Sequence, residues 1–152
     1  MTLILSLLIG VVAGSRAMMA PAVVAWAAWL GWIDLSATWA SFFGSAWAVL
    51  ILSVLAIVEL VTDQLPNTPS RKVPQQFGAR IVTGALTGAA LGALAGATPL
   101  GLVAGIVGAV AGTYGGAAAR GKLAAGFGRD LPAALIEDAG AILLALIVVA
   151  SA

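Results

Sequence analysis

Long apolar segments alternate with short polar ones along most of this chain. Five apolar segments stand out, at about residues 3–32, 44–64, 79–96, 99–119 and 131–150. A helix needs about 20 apolar residues to cross a membrane, and each segment approaches or exceeds that length. The pattern therefore predicts an all-α integral membrane protein, with about five transmembrane helices in a single transmembrane domain over residues 1–152.

The first and last segments carry signals for helix breaks and helix ends. The segment 3–32 is too long for one perpendicular helix, so we expect it to be tilted or broken near Gly14–Pro21, where Pro21 removes a backbone donor. The alternatives of one bent helix and two half-helices stay open. We expect the fifth helix to begin with Asp130 as its N-cap and Pro132 in its first turn.

Composition agrees with a membrane protein. Of the 152 residues, 62% are hydrophobic and 9% are charged, whereas about 25% of the residues in soluble domains are charged. The chain has no cysteine and no histidine, which excludes disulfides and any site built on thiolate or imidazole groups. We therefore expect no metal and no cofactor. The net charge of +1 is too small for the basic surface that nucleic-acid binding requires. The expected partners are the lipid bilayer and other membrane proteins.

The basic residues between the apolar segments are unevenly distributed. Six of them follow the second and fourth segments: Arg71, Lys72, Arg80, Arg120, Lys122 and Arg129. The connections at 33–43 and 96–99 contain no lysine or arginine. Because cytoplasmic loops are enriched in these residues, the pattern predicts a cytoplasmic N-terminus and an external C-terminus.

The five tryptophans surround the connection predicted to lie outside. They are Trp26, Trp29, Trp32, Trp39 and Trp47. Tryptophan is enriched at membrane–water interfaces, where its ring has one apolar and one polar edge. We favour an interfacial belt, and the alternative is that the rings pack against one another.

Glycines recur at every fourth position in the third segment and in two rows of the fourth. The rows are Gly84, Gly88, Gly92 and Gly96; Gly101 and Gly105; and Gly108, Gly112 and Gly116. Residues four apart lie on one helix face, and a face without side chains lets a neighbouring backbone approach closely. The rows predict tight packing of the third segment against the fourth. Packing between copies in a homo-oligomer is the alternative.

Arg16 lies inside the first apolar segment, in VVAGSRAMMAP. It is about 20 Å along a helix from Leu3, past the middle of a hydrocarbon core of about 30 Å. A charge at that depth must face the protein interior or water. The acidic candidates are Glu59 and Asp63, which are four residues apart, and the adjacent pair Glu137 and Asp138.

We predict that Arg16 pairs with Glu59 or Glu137, directly or through water, with Arg80 and Arg120 near the inner rim. Two interpretations of such a network stay open. Intramembrane ionisable residues often mark a solute or ion pathway, and they also serve as a buried ion-pair network that fixes helix register.

Two pairs of short motifs suggest an internal repeat. GVVAGS at 10–15 resembles GAVAGT at 108–113, which matches Ser15 with Thr113 and Arg16 with Tyr114. AIVEL at 56–60 resembles ALIED at 134–138. An odd number of spans between the halves would give a 2+1+2 inverted repeat, with Ser15 and Thr113 near mid-membrane, as in many transporters.

Three motifs together resemble a bacterial family of small multi-spanning membrane proteins of unknown function. They are GSRAMMAPA at 14–22, ELVTDQLPNTPSR at 59–71 and GARIVTGALTGAALGA at 78–93. The resemblance covers nearly the whole chain and implies a multi-pass protein of the bacterial cytoplasmic membrane. It implies no catalytic or binding residues.

The loop after the second segment is rich in proline and hydroxyl groups. Pro66, Pro69 and Pro74 stiffen a polar turn that contains Thr68, Ser70 and Arg71, and we expect the second helix to end before it. This cytoplasmic loop has two open interpretations. It contacts a lipid headgroup or a partner, or it is a stiff connector.

Two functional hypotheses follow from these patterns. The first is a transporter or channel for a small solute or ion, with Ser15, Arg16 and Thr113 at mid-membrane and the acids below. The second is a scaffold or accessory subunit with a sealed interior. An enzyme would use the four acids as acid–base or Mg²⁺ groups, but Arg80 is followed by glycines without the spaced aspartates of membrane phosphotransferases, so we expect no enzyme.

Overall fold

The computed structural model describes residues 1–65 and 67–152, so the predicted role of Pro66 lies outside the described residues. These residues form six α-helices: α1 (Thr2–Ser15), α2 (Met19–Trp29), α3 (Ala46–Thr62), α4 (Pro74–Ala93), α5 (Thr98–Phe127) and α6 (Asp130–Ala150). A short 3-10 helix, Ser41–Gly44, precedes α3. No strand occurs in these two ranges, and the predicted all-α class is confirmed.

Two of the helices, α5 and α6, are long and apolar enough to cross a membrane. Their mean hydropathies are 1.5 and 2.2. The helices α1, α2 and α3 are also apolar but have 10–17 residues each. By length and composition, these features associate the chain with a membrane.

The first apolar segment is broken into two helices. α1 ends at Ser15 because Arg16 adopts an extended backbone, with φ −140° and ψ 104°. α2 starts three residues later, and Pro21 lies in its first turn, where the missing N–H removes no helical hydrogen bond. Of the two alternatives for residues 3–32, the structure shows two separate helices and not one bent helix.

α1 and α5 pack side by side and run in the same direction. Gly10 lies against Gly105, and further along both helices Gly14 lies against Thr113. The Thr113 hydroxyl donates a hydrogen bond of 3.2 Å to the Gly14 carbonyl. Gly108 also meets Leu7, so the two backbones stay in contact over residues 7–14 and 105–113, about two turns of each helix.

α4 packs on both of these helices and runs against them. Gly84 contacts Gly105 of α5, whereas Gly92 contacts the earlier residue Gly101. The Ser6 hydroxyl near the start of α1 donates to the carbonyl of Gly88 in the second half of α4, at 3.0 Å. The three helices α1, α4 and α5 thus form the closely packed centre of the fold.

α3 runs in the same direction as α5, and α2 and α6 run against it. The Trp26 indole of α2 donates to Ser53 of α3 at 2.9 Å, while the amides that precede α2 donate to Glu59, later in α3. One turn beyond Glu59, the Asp63 carbonyl accepts from Arg120 near the end of α5. α6 begins beside the same Arg120 and returns along α5.

Consecutive helices are therefore antiparallel, and both termini lie at the end of the bundle opposite Arg71 and Arg120. The predicted position of the N-terminus beside the basic loops is wrong, because the break after Arg16 adds one chain reversal. The predicted inverted repeat is also wrong. Its matched motifs at 10–15 and 108–113 lie on the parallel helices α1 and α5, whereas an inverted repeat requires opposite directions.

Glycine brings the three central backbones into contact. A Cβ atom at Gly105 would stand 2.0 Å from the Gly84 carbonyl oxygen, and one at Gly108 would stand 2.0 Å from the Leu7 carbonyl oxygen. Backbone atoms also occupy the Cβ positions of Gly10, Gly14, Gly88, Gly92, Gly101 and Gly112. The predicted contact between the third and fourth segments is present, and α1 joins it.

Gly96 does not extend this packing face, so that prediction is wrong. α4 ends at Ala93, and Gly96 lies in the following turn with φ +64° and no other group within 4 Å of its Cβ position. Its conformation is the left-handed one that glycine adopts without strain. The turn, and not helix packing, explains this glycine.

The end of the bundle that carries the termini is rich in exposed tryptophan. All five indoles are between 42% and 72% exposed. Trp26 and Trp29 form an edge-to-face pair with ring centroids 5.6 Å apart.

In the adjoining loop, hydrogen bonds from Ser36 lower the pKa of Asp34 by stabilising its carboxylate.

Candidate functional site

Arg16 is fully buried at the chain break, at the end of the bundle opposite the tryptophans. Its Nε donates a hydrogen bond of 2.6 Å to Asp138, and its two Nη atoms form ion pairs with Asp63 and Asp138. Glu137 is more distant, with an oxygen 3.9 Å from Nη2. Of the two predicted partners, Glu137 is therefore present at this longer distance, and Glu59 accepts from backbone amides instead. The closest partners of Arg16 are Asp63 of α3 and Asp138 of α6.

The chain break itself is held by two charged side chains from other helices. Glu59 of α3 accepts from the backbone amides of Ala17 and Met18, at 2.7 and 2.8 Å, and so caps the start of α2. Arg80 of α4 donates to the carbonyls of Gly14 and Ser15, at 3.0 and 2.6 Å, and so caps the end of α1. Each charge has the sign that stabilises the helix end it contacts.

Two further ion pairs lie at this end of the bundle. Arg71, from the loop before α4, makes a bidentate ion pair with Glu137, with hydrogen bonds of 2.5 and 2.8 Å. Arg120 holds Asp130 in the same way, at 3.0 and 2.5 Å, and lies 3.5 Å from Glu137. Asp130 is the first residue of α6 and caps no amide, so its predicted N-cap role is wrong. Its carboxylate turns to Arg120 instead.

These contacts define a charge cluster of four guanidinium groups and four carboxylates, with every side chain at most 15% exposed. The members are Arg16, Arg71, Arg80, Arg120, Glu59, Asp63, Glu137 and Asp138. Asp130 adjoins the cluster but is 62% exposed. Burial of single charges is strongly unfavourable, and pairing with the opposite sign offsets part of that penalty.

A cleft of about 630 Å³ opens beside the charge cluster at the same end of the bundle. Asp63, Arg71, Arg80 and Arg120 contribute to its wall from the cluster. The rest of the wall comes from the α3–α4 loop and from α5 and α6. These residues are Gln64, Leu65, Thr68, Pro69, Ser70, Ala117, Gly121, Asp130, Leu131 and Ala134. The cleft joins the surrounding medium to the charges that hold the chain break.

Comparison of the chain with protein-family models, with curated proteins and with solved structures finds no match. The resemblance to a family of small bacterial membrane proteins therefore stays a prediction.

The other predicted site residues lie at different distances from the cluster. The Thr113 hydroxyl is buried beside the break and donates to the carbonyls of Gly14 and Ala109. Ser15 immediately precedes the break, next to Gly116. Gly116 faces Arg71 and Glu137 and so belongs to the cluster, not to the glycine contact of α1 and α5.

Tyr114 is not part of the buried network, contrary to prediction. It is half exposed on the outer side of α5, where its ring lies 5.9 Å from that of Phe77 and 5.6 Å from Lys72 Nζ. Thr113 and Tyr114 are neighbours in sequence, so a helix directs them to different faces. Only Thr113 points to the break.

Arg80 is the member of the cluster whose role the sequence left unrecognised. It was expected at the rim, but it is 1% exposed and contacts the end of α1. The glycine row that follows Arg80 could have indicated its burial. Arg80 lies one turn before Gly84 and therefore on the same helix face, which packs against α1 and α5.

The carboxylates are directed to guanidinium groups and backbone amides. Across residues 1–65 and 67–152, no three acidic side chains converge in a way that would hold a metal ion. Within the cluster, every charged side chain has a partner of the opposite sign within 3.9 Å.

Proposed function

We propose that the chain is a multi-pass protein of the bacterial cytoplasmic membrane, with the charge cluster at its cytoplasmic end. The basic residues at this end support that orientation by the positive-inside rule. The exposed tryptophans at the other end support it as an outer interfacial belt. Exposed apolar side chains along α3, such as Leu50, Ile51, Val54, Val58 and Val61, would face lipid.

All six helices would then lie in the membrane, with both termini outside. α1 and α2 have 14 and 11 residues, or about 21 and 17 Å, which is less than a hydrocarbon core of about 30 Å. α5 continues about three turns beyond Gly116 toward the cytoplasm. The break at Arg16 would therefore lie within the membrane, as do the interrupted helices that form binding sites in transporters.

We propose that the function is the passage of a small solute or ion, and that the structure is closed toward the outside. The observation that carries this proposal is the cleft, which leads from the cytoplasmic end to Arg80 and Asp63. Arg80 itself caps the end of α1 at the break, and Asp63 pairs with Arg16. Binding a charged solute there would compete with the internal ion pairs and loosen the break.

The outer half supports closure. Around Gly88 and Gly105 the backbones of α4 and α5 touch, and the hydroxyls of Ser6, Thr87 and Thr113 donate to backbone carbonyls and not into a channel. Passage would require α1 to separate from α4 or α5. The proposal is for a conduit and not for catalysis, because the cluster's carboxylates are engaged by guanidinium or amide groups.

The same glycine contacts favour a second candidate function, a scaffold with a permanently sealed interior. In that case the ion pairs fix helix register, and the outer surface binds a second copy or another membrane protein. The two candidates differ in whether water reaches Thr113 or Ser15 at any time.

Cysteine accessibility separates the candidates, since the natural chain has no cysteine. Ser15→Cys and Thr113→Cys would be treated with an impermeant thiol reagent in intact cells and in inverted vesicles. Ser70→Cys in the cleft wall and Ser41→Cys in the outer loop are exposed controls for the two sides. A conduit predicts slow modification at Ser15 or Thr113. Modification of the two controls alone would support the scaffold.

A further inference from the structure

Arg80 differs from the other three guanidinium groups of the charge cluster. Arg16, Arg71 and Arg120 each have a carboxylate oxygen within hydrogen-bond distance. The carboxylate oxygens closest to Arg80 belong to Asp63 and Glu59, at 3.8 and 3.9 Å from Nη2. Its hydrogen bonds go to neutral backbone carbonyls. Arg80 is therefore the least neutralised cation of the cluster.

The Arg80 side chain also has a donor without a partner. Its Nε is buried and makes no hydrogen bond within the described part of the chain. The one other buried side-chain atom of this kind is Arg16 Nη2, which is in ion contact with Asp138. A buried donor without an acceptor is unfavourable and uncommon in folded proteins. Arg80 Nε therefore lacks an acceptor that a bound group would supply.

The chemistry of the missing partner follows from these atoms. Arg80 Nε is a nitrogen donor, so the bound group must supply an acceptor oxygen. A cation would not satisfy it. Carboxylate and phosphate groups match a guanidinium best, because their oxygens accept charge-assisted hydrogen bonds.

Arg80 contributes to the wall of the cleft of about 630 Å³, and its Nε lies buried behind that wall. A group that enters from the cytoplasmic end would reach Nε after a shift of the Arg80 side chain. We propose that this cleft binds an oxyanion, a carboxylate or a phosphate, through Arg80 Nε. Gln64 and Ser70 in the cleft wall supply further donors. The two carboxylates of the wall, Asp63 and Asp130, are already paired with Arg16 and Arg120. This inference deepens the proposed function, since it names the class of solute. The oxyanion has two sources, a soluble anion and the headgroup of an anionic lipid.

Arginine-selective ¹⁵N NMR tests this proposal by binding alone, without any transport assay. The chain has five arginines, so the labelled protein gives at most five Nε–Hε signals. Inorganic phosphate and acetate would be titrated into protein in phosphatidylcholine nanodiscs, with chloride as the ionic-strength control. The proposal predicts a saturable shift of the Arg80 signal. If phosphate and acetate shift the Arg80 signal no more than chloride does, a soluble anion is not the ligand. The proposal is then overturned unless anionic lipid shifts the signal.

The lipid arm repeats the spectrum in nanodiscs that contain phosphatidylglycerol, with no added anion. If the Arg80 signal is already at its shifted position, the headgroup is the ligand. If it shifts only with added phosphate or acetate, the ligand is soluble. If neither condition shifts it, the proposal is wrong.

Arg80→Lys keeps the charge but removes Nε, and we expect it to weaken anion binding about tenfold. The matched control is Lys122→Gln, which removes an exposed charge outside the cleft wall and should change binding less than about twofold. Equal weakening by both variants would overturn the assignment to Arg80. If Arg80→Lys does not fold, Arg→Lys changes at the other four positions assign the Arg80 signal by elimination.

The NMR titration tests anion binding and the cysteine modification tests solute passage, so either proposal can be contradicted without the other. Saturable binding with unreactive cysteines at Ser15 and Thr113 would support the oxyanion site and remove the conduit. Reactive cysteines without a shift of the Arg80 signal would support the conduit and remove the oxyanion site.

Discussion

Glu59 and Arg80 hold the two sides of one chain break, and their charged groups lie 3.9 Å apart. Glu59 accepts from the amides that open α2, and Arg80 donates to the carbonyls that close α1. Two helices distant in sequence, α3 and α4, thus stabilise the same three-residue interruption. Without these charges, the buried amides and carbonyls at the break would lose their hydrogen-bond partners.

Glu59→Gln keeps the shape of the side chain and removes its charge. We expect a loss of about 1–3 kcal/mol in the free energy of unfolding, since an amide accepts less strongly and Arg80 loses a nearby charge. Thermal unfolding in detergent, followed by tryptophan fluorescence, measures the change. Asp34→Asn in the exposed outer loop is the control and should shift the transition far less, because the asparagine Oδ1 still accepts from Ser36. Equal stability of Glu59→Gln and the natural protein would contradict the capping role.

Asp138→Asn removes the carboxylate that Arg16 contacts through both Nε and Nη2. We expect a loss of about 3–5 kcal/mol, because a buried guanidinium is left without one of its two main partners. The double variant with Arg16→Gln should be more stable than the sum of the two single losses predicts. Strictly additive losses in chemical unfolding would show that the two side chains do not interact.

Gly105→Ala places a methyl group against the backbone of α4, where the Gly84 carbonyl oxygen lies 2.0 Å from the Cβ position. We expect strong destabilisation, by about 1–3 kcal/mol or more, because α4 or α5 must move apart. Gly115→Ala on the same helix meets nothing within 4 Å and is the matched control. It should stabilise the helix by up to about 1 kcal/mol through propensity. Similar effects at both positions would contradict the close α4–α5 contact.

The antiparallel order of the six helices predicts that both termini lie on one side of the membrane and the α3–α4 loop on the other. Epitope tags at Met1 and Ala152 should be accessible to antibody in spheroplasts without permeabilisation. Ser70→Cys should react only in inverted vesicles. A tag at Met1 that is accessible only after permeabilisation would restore the topology predicted from sequence.

The sequence predicted the members of the charge cluster better than their pairs. Arg16, Glu59, Asp63, Glu137 and Asp138 were expected to lie together, and they do. The extended backbone at Arg16 decides which acids its side chain contacts. No residue type near Arg16 predicts that backbone conformation. The proline that suggested a break, Pro21, lies inside the first turn of α2 and not at the break.

The topology could not be predicted from hydrophobicity, because α1 and α2 form one continuous apolar segment in sequence. The polar groups of the reversal at Arg16–Met18 are satisfied by Glu59 and Arg80 from distant helices. No local turn signal is then needed. By contrast, the glycine rows gave α4–α5 packing correctly, since a four-residue spacing alone defines a helix face.

The central claim is that the chain break opens to admit a solute. The most direct test is the rate at which an impermeant thiol reagent in inverted vesicles modifies Thr113→Cys, with and without Glu59→Gln. The account predicts slow modification that becomes faster when Glu59→Gln weakens the break, while Ser70→Cys reacts rapidly in both backgrounds. If Thr113→Cys stays unmodified in both backgrounds while Ser70→Cys reacts, the interior is sealed and the conduit is contradicted.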